Sequence, residues 1–395
     1  VAGFLVSPHM PYLMSVVDKS DIQTWADIGV IFLLFALGLD FSVKKILKMG
    51  SSPIVAASTI IVCMMTLGMI VGYCFGWKKM DCIFLGGMLA MSSTTIIYKA
   101  FSDMGLTQRG FAATVMSVLI LEDILAIVMM VMLSTLARDA SPNGMQILVS
   151  VAKIGFFLVL WFVIGLFAIP LILRSVRKFL NSETLLIVSL GLCCLMAVLS
   201  TQVGFSAAFG AFVMGSILAE TIEADKIIRL VDPVKNLFGA VFFVSVGMLV
   251  DPQVLIDYAL PILFLVLTIL IGQALFGTLG YLLGGQTLKN AMRCGFSMAQ
   301  IGEFAFIIAS LGLSLHVISD YLYPVVVAVS VITTFLTPYM IRAAEPMYNF
   351  LIKHLPKRWV RRLTHIQDND SGENAASESQ WKSLLKSMLV NTLIY

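Results

Sequence analysis

Eleven long apolar segments joined by short polar connections restrict this chain to a bundle of helices that crosses a membrane. They run approximately over residues 24–40, 51–76, 81–99, 110–137, 146–173, 184–202, 206–219, 234–250, 254–284, 288–314 and 320–341. Hydrocarbon offers the backbone no hydrogen-bonding partners, so such segments satisfy their own N–H and C=O groups as helices. Of 395 residues 59% are hydrophobic and 12% charged, about half the ~25% charge of a soluble domain. A soluble protein this apolar would have no surface. The sequence therefore predicts an all-α polytopic membrane protein.

The basic residues fix its orientation. On one side lie Lys44, Lys45 and Lys48; Lys99 and Arg109; Arg174, Arg177 and Lys178; Lys226, Arg229 and Lys235; Lys289 and Arg293; then Arg342, Lys353, Lys357, Arg358, Arg361 and Arg362. The other side holds Lys19, Lys78, Lys79 and Arg138, and Lys153 lies near an outer helix end, where it snorkels. The alternation predicts that the richer side is cytoplasmic, with the C-terminus there, in a plasma membrane such as the bacterial inner membrane.

Residues 1–342 form the expected transmembrane domain. Its opening, Val1 to Pro8, is too short to span and reads as the tail of a helix whose beginning is absent. Residues 343–366 are a basic cytoplasmic segment, 367–379 a polar Ser-rich linker, and 380–395 an amphipathic or interfacial helix that suggests a longer native chain. The six cysteines lack metal-ligand spacing and read as small hydrophobes.

Within 110–137 the run Leu121-Glu122-Asp123-Ile124 puts two adjacent carboxylates near the bilayer midplane. A carboxylate there costs at least ~2.5–3.5 kcal/mol, so two in succession point to binding a cation, carrying a proton, or both. A buried ion pair that fixes helix packing is the bland alternative, but it needs basic partners, and the span assignment puts none at that depth. Adjacent helix positions point ~100° apart, so both acids cannot face one ligand squarely, and Asp123 is the expected principal ligand. Asp27 and Asp40, near the ends of segment 24–40, read as interfacial or capping residues. The four histidines fall in loops or tail.

Segment 81–99 carries four consecutive hydroxyl residues, Ser92, Ser93, Thr94 and Thr95. Hydroxyls and unwound backbone carbonyls are hard-oxygen ligands for an alkali cation, although hydroxyl packing between helices is equally ordinary. Segment 288–314 reads Gly295-Phe296-Ser297-Met298-Ala299-Gln300-Ile301-Gly302-Glu303, again glycine-interrupted, with an intramembrane acid. Each precedes a long apolar helix, and the charge pattern sends them across in opposite directions. That is the signature of an inverted repeat whose two interrupted helices meet near the carboxylates. Glu303 is either a structural acid holding its broken helix or part of the ion path.

Gly38-Leu39-Asp40-Phe41-Ser42, Ser92 to Thr95, Leu121 to Ile124, Phe209 to Gly215, Phe242 to Met248 and Gly302-Glu303-Phe304-Ala305-Phe306 occur in the order found in the monovalent cation:proton antiporter family. The chain resembles the membrane domain of its sodium/proton exchangers and Kef-type potassium efflux systems, from Val1 to about Arg342. The resemblance implies an inverted-repeat antiporter fold with crossed, interrupted helices, a homodimer, and a core domain moving against a dimerisation domain. It makes Asp123 the ion-binding and proton-carrying acid, with Glu122 in the slot before it. Gln273 stands where many electrogenic relatives have Lys, and Ile301 where an Arg often precedes the Gly-Glu pair.

The function expected is secondary antiport of protons against Na⁺ or K⁺. Burial disfavours the charged carboxylate and a bound cation favours it, so proton and cation compete for one site. Ser92, Ser93, Thr94, Thr95, Gln273, Gln300, Gly302 and Glu303 are expected to line it. A passive or gated cation channel is the alternative. An intramembrane aspartyl protease would need acids on two separate helices, and no phosphate-binding glycine loop is present. No enzyme activity, organic cofactor or nucleic-acid partner is expected; the partners are the cation, the proton, lipid and a second copy of the chain.

Overall fold

A computed structural model describes residues 19–40, 51–138, 181–203, 205–248 and 252–354, with isolated positions 3, 6, 156, 160, 161, 163 and 165. The expected segment 146–173, the lysines at 44–48, the linker at 367–379 and the helix at 380–395 lie wholly or almost wholly outside the described residues.

The remaining apolar segments are all helical. In chain order they give α1 (Lys19–Asp40), α2 (Ser51–Cys74), α3 (Lys79–Leu89), α4 (Thr94–Asp103) and α5 (Gly110–Arg138). Then come α6 (Ser182–Val203), α7 (Ala207–Ala219), α8 (Ala224–Met248), α9 (Pro252–Asp257) and α10 (Ala259–Gly272). A π-helical turn at Gln273–Gly277 leads into α11 (Thr278–Leu283), followed by α12 (Leu288–Ser297), α13 (Glu303–Ser314) and α14 (Leu322–His354). Among the described residues, six helical stretches are long and apolar enough to span by length and composition. Their outward faces carry large apolar side chains such as Val62, Ile70, Ile187, Val198, Leu263 and Phe335, the surface that lipid requires.

Two elements differ from the hydropathy reading. Segment 234–250 is the second half of α8, whose first half, starting at Ala224, is rich in charge. The apolar run that begins at residue 320 continues as α14 without a break past Arg342 to His354.

The helices sort into two packed groups. In one, α1 lies against α7 and α8, and α6 packs on α7 and α8. Small residues permit the closest approach: a Cβ on Gly38 would fall 2.2 Å from the Phe212 carbonyl oxygen, and one on Gly215 would fall 2.2 Å from that of Phe35. Only glycine fits where two backbones touch in this way, which explains both Gly38-Leu39-Asp40 and the Phe209 to Gly215 stretch. The other group holds α2 to α5 with α10 to α14. It contains the two broken helices, α3–α4 and α12–α13.

These run antiparallel. Asp81, fully buried at the start of α3, accepts hydrogen bonds from the Ser319 amide (2.7 Å), the Ser319 hydroxyl (2.8 Å) and the Tyr321 hydroxyl (3.1 Å), in the turn after α13. The start of α3 thus lies beside the end of α13. Cys294 of α12 donates to the Phe111 carbonyl, in the first turn of α5, at 3.7 Å.

Candidate functional site

Each broken helix loses its regular hydrogen bonding in mid-membrane, and each break is closed by the other. The Gly302 amide donates to the Met91 carbonyl at 2.8 Å. A Cβ at Gly302 would lie 2.3 Å from the Ser92 carbonyl oxygen and 2.8 Å from the Ser93 nitrogen, so the crossing needs glycine there. Thr333 of α14 receives the Ile301 amide at 3.4 Å, and Ser330 donates to the Ile301 carbonyl at 3.2 Å. Buried backbone groups freed by the interruption are thereby satisfied.

The hydroxyl run at 92–95 distributes three carboxylates from two other helices. The Ser92 amide donates to Glu122 Oε2 at 3.4 Å, and Thr94 donates to Asp123 Oδ2 at 3.1 Å. Ser93 and Thr95 donate to the two oxygens of Glu303, at 2.6 and 3.2 Å. The spacing explains the division: consecutive residues of an unwinding strand point in different directions, and Glu122 and Asp123 are themselves splayed around α5. Gln300 donates from Nε2 to the Ser93 carbonyl at 3.1 Å and accepts from Thr337 at 2.9 Å. Gln273, at the π turn, donates to the Ser92 hydroxyl at 3.4 Å. The ten candidate residues named from sequence thus lie around one crossing, in separate hydrogen-bonded sets that the backbone of residues 92–95 and 300–303 joins.

Accessibility separates the two adjacent acids. Glu122 is 1% exposed and Asp123 8%. Among the described residues Glu122 Oε1 and Gln273 Oε1 are buried without hydrogen-bond partners, whereas both Glu303 oxygens are engaged. No basic side chain compensates the acids: among the described residues the ion pairs are Lys99–Asp103, Lys235–Asp40, and Lys289 and Arg293 with Glu345. What faces the acids instead is the N-terminal end of α4, capped by Ser93, and that of α13, which starts at Glu303. The positive ends of both half-helix dipoles favour negative charge here.

Two acids did not follow the sequence reading or escaped it. Asp27 is no cap: α1 begins at Lys19, which puts Asp27 in the third turn, where it accepts from Ser310 at 3.4 Å. Asp81 carries no signal in the sequence, because an acid in a helix's first turn is ordinary and its two partner residues, Ser319 and Tyr321, are distant along the chain. Asp40, by contrast, closes α1 and pairs with Lys235 at 3.6 Å.

Residues 1–344 match the family described as sodium/hydrogen exchanger, transmembrane. A Bacillus subtilis (strain 168) protein named K(+)/H(+) antiporter subunit KhtU is 29% identical over 360 residues, covering 89% of this chain and 88% of that one. K(+) efflux antiporter 6 of Arabidopsis thaliana is 30% identical over 347 residues, 86% of this chain but only 57% of that protein. This chain thus spans less than two thirds of the plant relative. The sodium proton antiporter MjNhaP1 of Methanocaldococcus jannaschii, solved at pH 8, superposes with a TM-score of 0.64 at 17% identity, over 89% of this chain and 90% of that one. The helical architecture is shared with it.

Proposed function

The chain belongs to the transmembrane sodium/hydrogen exchanger family of cation/proton antiporters, and from that premise we propose that it exchanges protons for a monovalent cation by competition at Asp123. The observation that carries this reading is the position of Asp123: beside the crossing of two broken helices, hydrogen-bonded to Thr94 through one oxygen, more accessible than Glu122, and with no basic partner among the described residues. A carboxylate so placed is held ionised by a cation and neutralised by a proton, and not by both at once. Thr94 and the carbonyls at the break supply further hard-oxygen ligands. The Bacillus subtilis and Arabidopsis thaliana relatives described above are both named for potassium, which favours K⁺ over Na⁺ as the cation.

Glu303, tied to the Ser93 and Thr95 hydroxyls of the opposite helix, holds the crossing. Ser92, Gln273, Gln300 and Gly302 hold the break open beside it. The protein works as a homodimer in a plasma membrane, with the Lys289 and Arg293 face in the cytoplasm and residues 1–342 as the transporting unit.

The test is reconstitution into vesicles containing a pH dye, pulsed with K⁺, Na⁺ or Li⁺ under clamped voltage. Cation-driven proton movement that persists under the clamp distinguishes exchange from a channel. Asp123→Asn is expected to reduce it to the level of protein-free vesicles while the protein still inserts and folds. Near-normal flux in that variant defeats the assignment.

A further inference from the structure

A cavity of ≈ 260 Å³ lies between the two helix groups, away from the central network. Its walls are the first half of α1 (Asp27, Val30), the outer half of α5 (Met130, Ser134), the start of α7 (Ser206) and the second half of α13 (Ile307, Ser310, Ser314). All these parts lie toward the membrane face that bears Asp81 and Ser319. The cavity floor, at Ile307 and Met130, is one to two helical turns from Glu303 and Asp123, about 6–10 Å along the helix axes.

Asp27 is the one acid in that wall among the described residues. It is exposed there, although it sits ~12 Å inside its helix. The hydroxyls around it have their protons committed elsewhere: Ser134 donates to the Val131 carbonyl (2.8 Å), Ser314 to the Leu311 carbonyl (2.9 Å), and Ser310 to Asp27 itself. Ser206 accepts from the Phe209 amide at 3.2 Å and caps α7. A hydroxyl that donates away presents lone pairs to the space it faces. The wall thus combines one carboxylate with several neutral hard oxygens, the donor set that alkali cations take. The space exceeds what a single water needs, so a cation enters with part of its hydration shell.

We propose that Asp27, with Ser134, Ser206, Ser310 and Ser314, forms a second docking site for a partly hydrated monovalent cation, a staging point between the outer solution and the central carboxylates. It rests on the reading that this chain exchanges such a cation. The site collects the ion at the face opposite the basic loops and releases it inward between α5 and α13. Because Ser310 and Asp27 belong to different helix groups, occupation of the site also competes with the hydrogen bond that joins them.

Asp27→Asn tests this, since Asn keeps an oxygen for Ser310 and loses only the charge. In right-side-out and everted membrane vesicles, K⁺ or Na⁺ is supplied from one face at a time. The half-saturating concentration is expected to rise about five-fold from the cavity face, the weight of a unit charge at ~4 Å in water, and by less than about twofold from the other. Asp27→Glu should restore it. Equal shifts from both faces, or none, overturn the proposal and leave Asp27 a structural link. Purified Asp123→Asn protein titrated calorimetrically with KCl or NaCl separates the two readings. A residual binding event that disappears in Asp27→Asn/Asp123→Asn supports the docking site even if the parent protein exchanges nothing. Exchange in the parent without that event removes the docking site and leaves the exchange function standing.

Discussion

The Gly302 amide reaches the Met91 carbonyl at 2.8 Å, and this contact joins the two halves of the repeat at the point where neither half can satisfy itself. In lipid an unpaired backbone group costs several kcal/mol, so two interrupted helices are stable at this depth only if each supplies what the other lacks. The crossing is therefore a structural necessity as well as the origin of the site: the same unwinding frees the Ser92 amide for Glu122 and turns Thr94 toward Asp123.

Gly302→Ala should be among the most damaging single-methyl changes in the chain. Its Cβ would sit 2.3 Å from the Ser92 carbonyl oxygen, against backbone that has no rotamer to yield. Overpacking of this kind costs ~1–3 kcal/mol or more. The thermal midpoint in detergent should fall and exchange should be lost. An unchanged midpoint would show that the breaks do not meet as closely as described.

Asp81→Ala should destabilise without acting on the ion. Three donors converge on this carboxylate, and Tyr321 among them stacks on Tyr258 with ring centroids 4.6 Å apart. Hydrogen bonds to a charged acceptor are worth ~1.5–3 kcal/mol each, and the Ser319 amide would be left unpaired. The expected result is a lower thermal midpoint with cation half-saturation within about twofold of the parent, the structural role moving no charge near the central site. A large, selective change in half-saturation would place Asp81 on the ion path instead.

Glu122→Gln should be milder than Asp123→Asn. Glu122 is almost wholly enclosed and engages Ser92 through one long bond of 3.4 Å, which the Gln oxygen can also make. The change removes a neighbouring titratable group, so the pH profile of exchange should move more than its maximal rate. Complete loss of exchange in Glu122→Gln, with Asp123→Asn still active, would exchange the roles of the two acids.

What sequence conveyed best was whatever depends on hydropathy and on the rarity of charge in lipid. The acids at 122 and 123, the hydroxyls at 92–95 and the glycine before Glu303 stand out because each is expensive or exceptional at membrane depth. What it conveyed poorly depends on polar helix ends. Residues 19–23 are too polar to enter an apolar window, so that window begins at 24 and puts Asp27 at its end, whereas α1 begins at Lys19. The first half of α8 is hidden by its charges for the same reason. The π turn at Gln273–Gly277 leaves no trace in composition, yet it lies where Gln273 reaches Ser92.

Gln273 also bears on how much charge each cycle moves. Its amide donates to the Ser92 hydroxyl, on the far side of which the Ser92 backbone serves Glu122. A lysine in this place would offer a second proton that an incoming cation displaces, a route to moving more than one proton per cation; an amide has none to give. If Asp123 alone exchanges its proton, one proton leaves for each monovalent cation and no net charge crosses. Exchange is therefore expected to be electroneutral. Vesicles held at different membrane potentials with valinomycin and K⁺, and driven by Na⁺ if that ion is carried, should show the same rate at every potential. Coupled titration of Glu122 with Asp123 is the competing possibility. A strong voltage dependence that vanishes in Glu122→Gln would establish Glu122 as a second proton carrier and overturn the single-carboxylate stoichiometry.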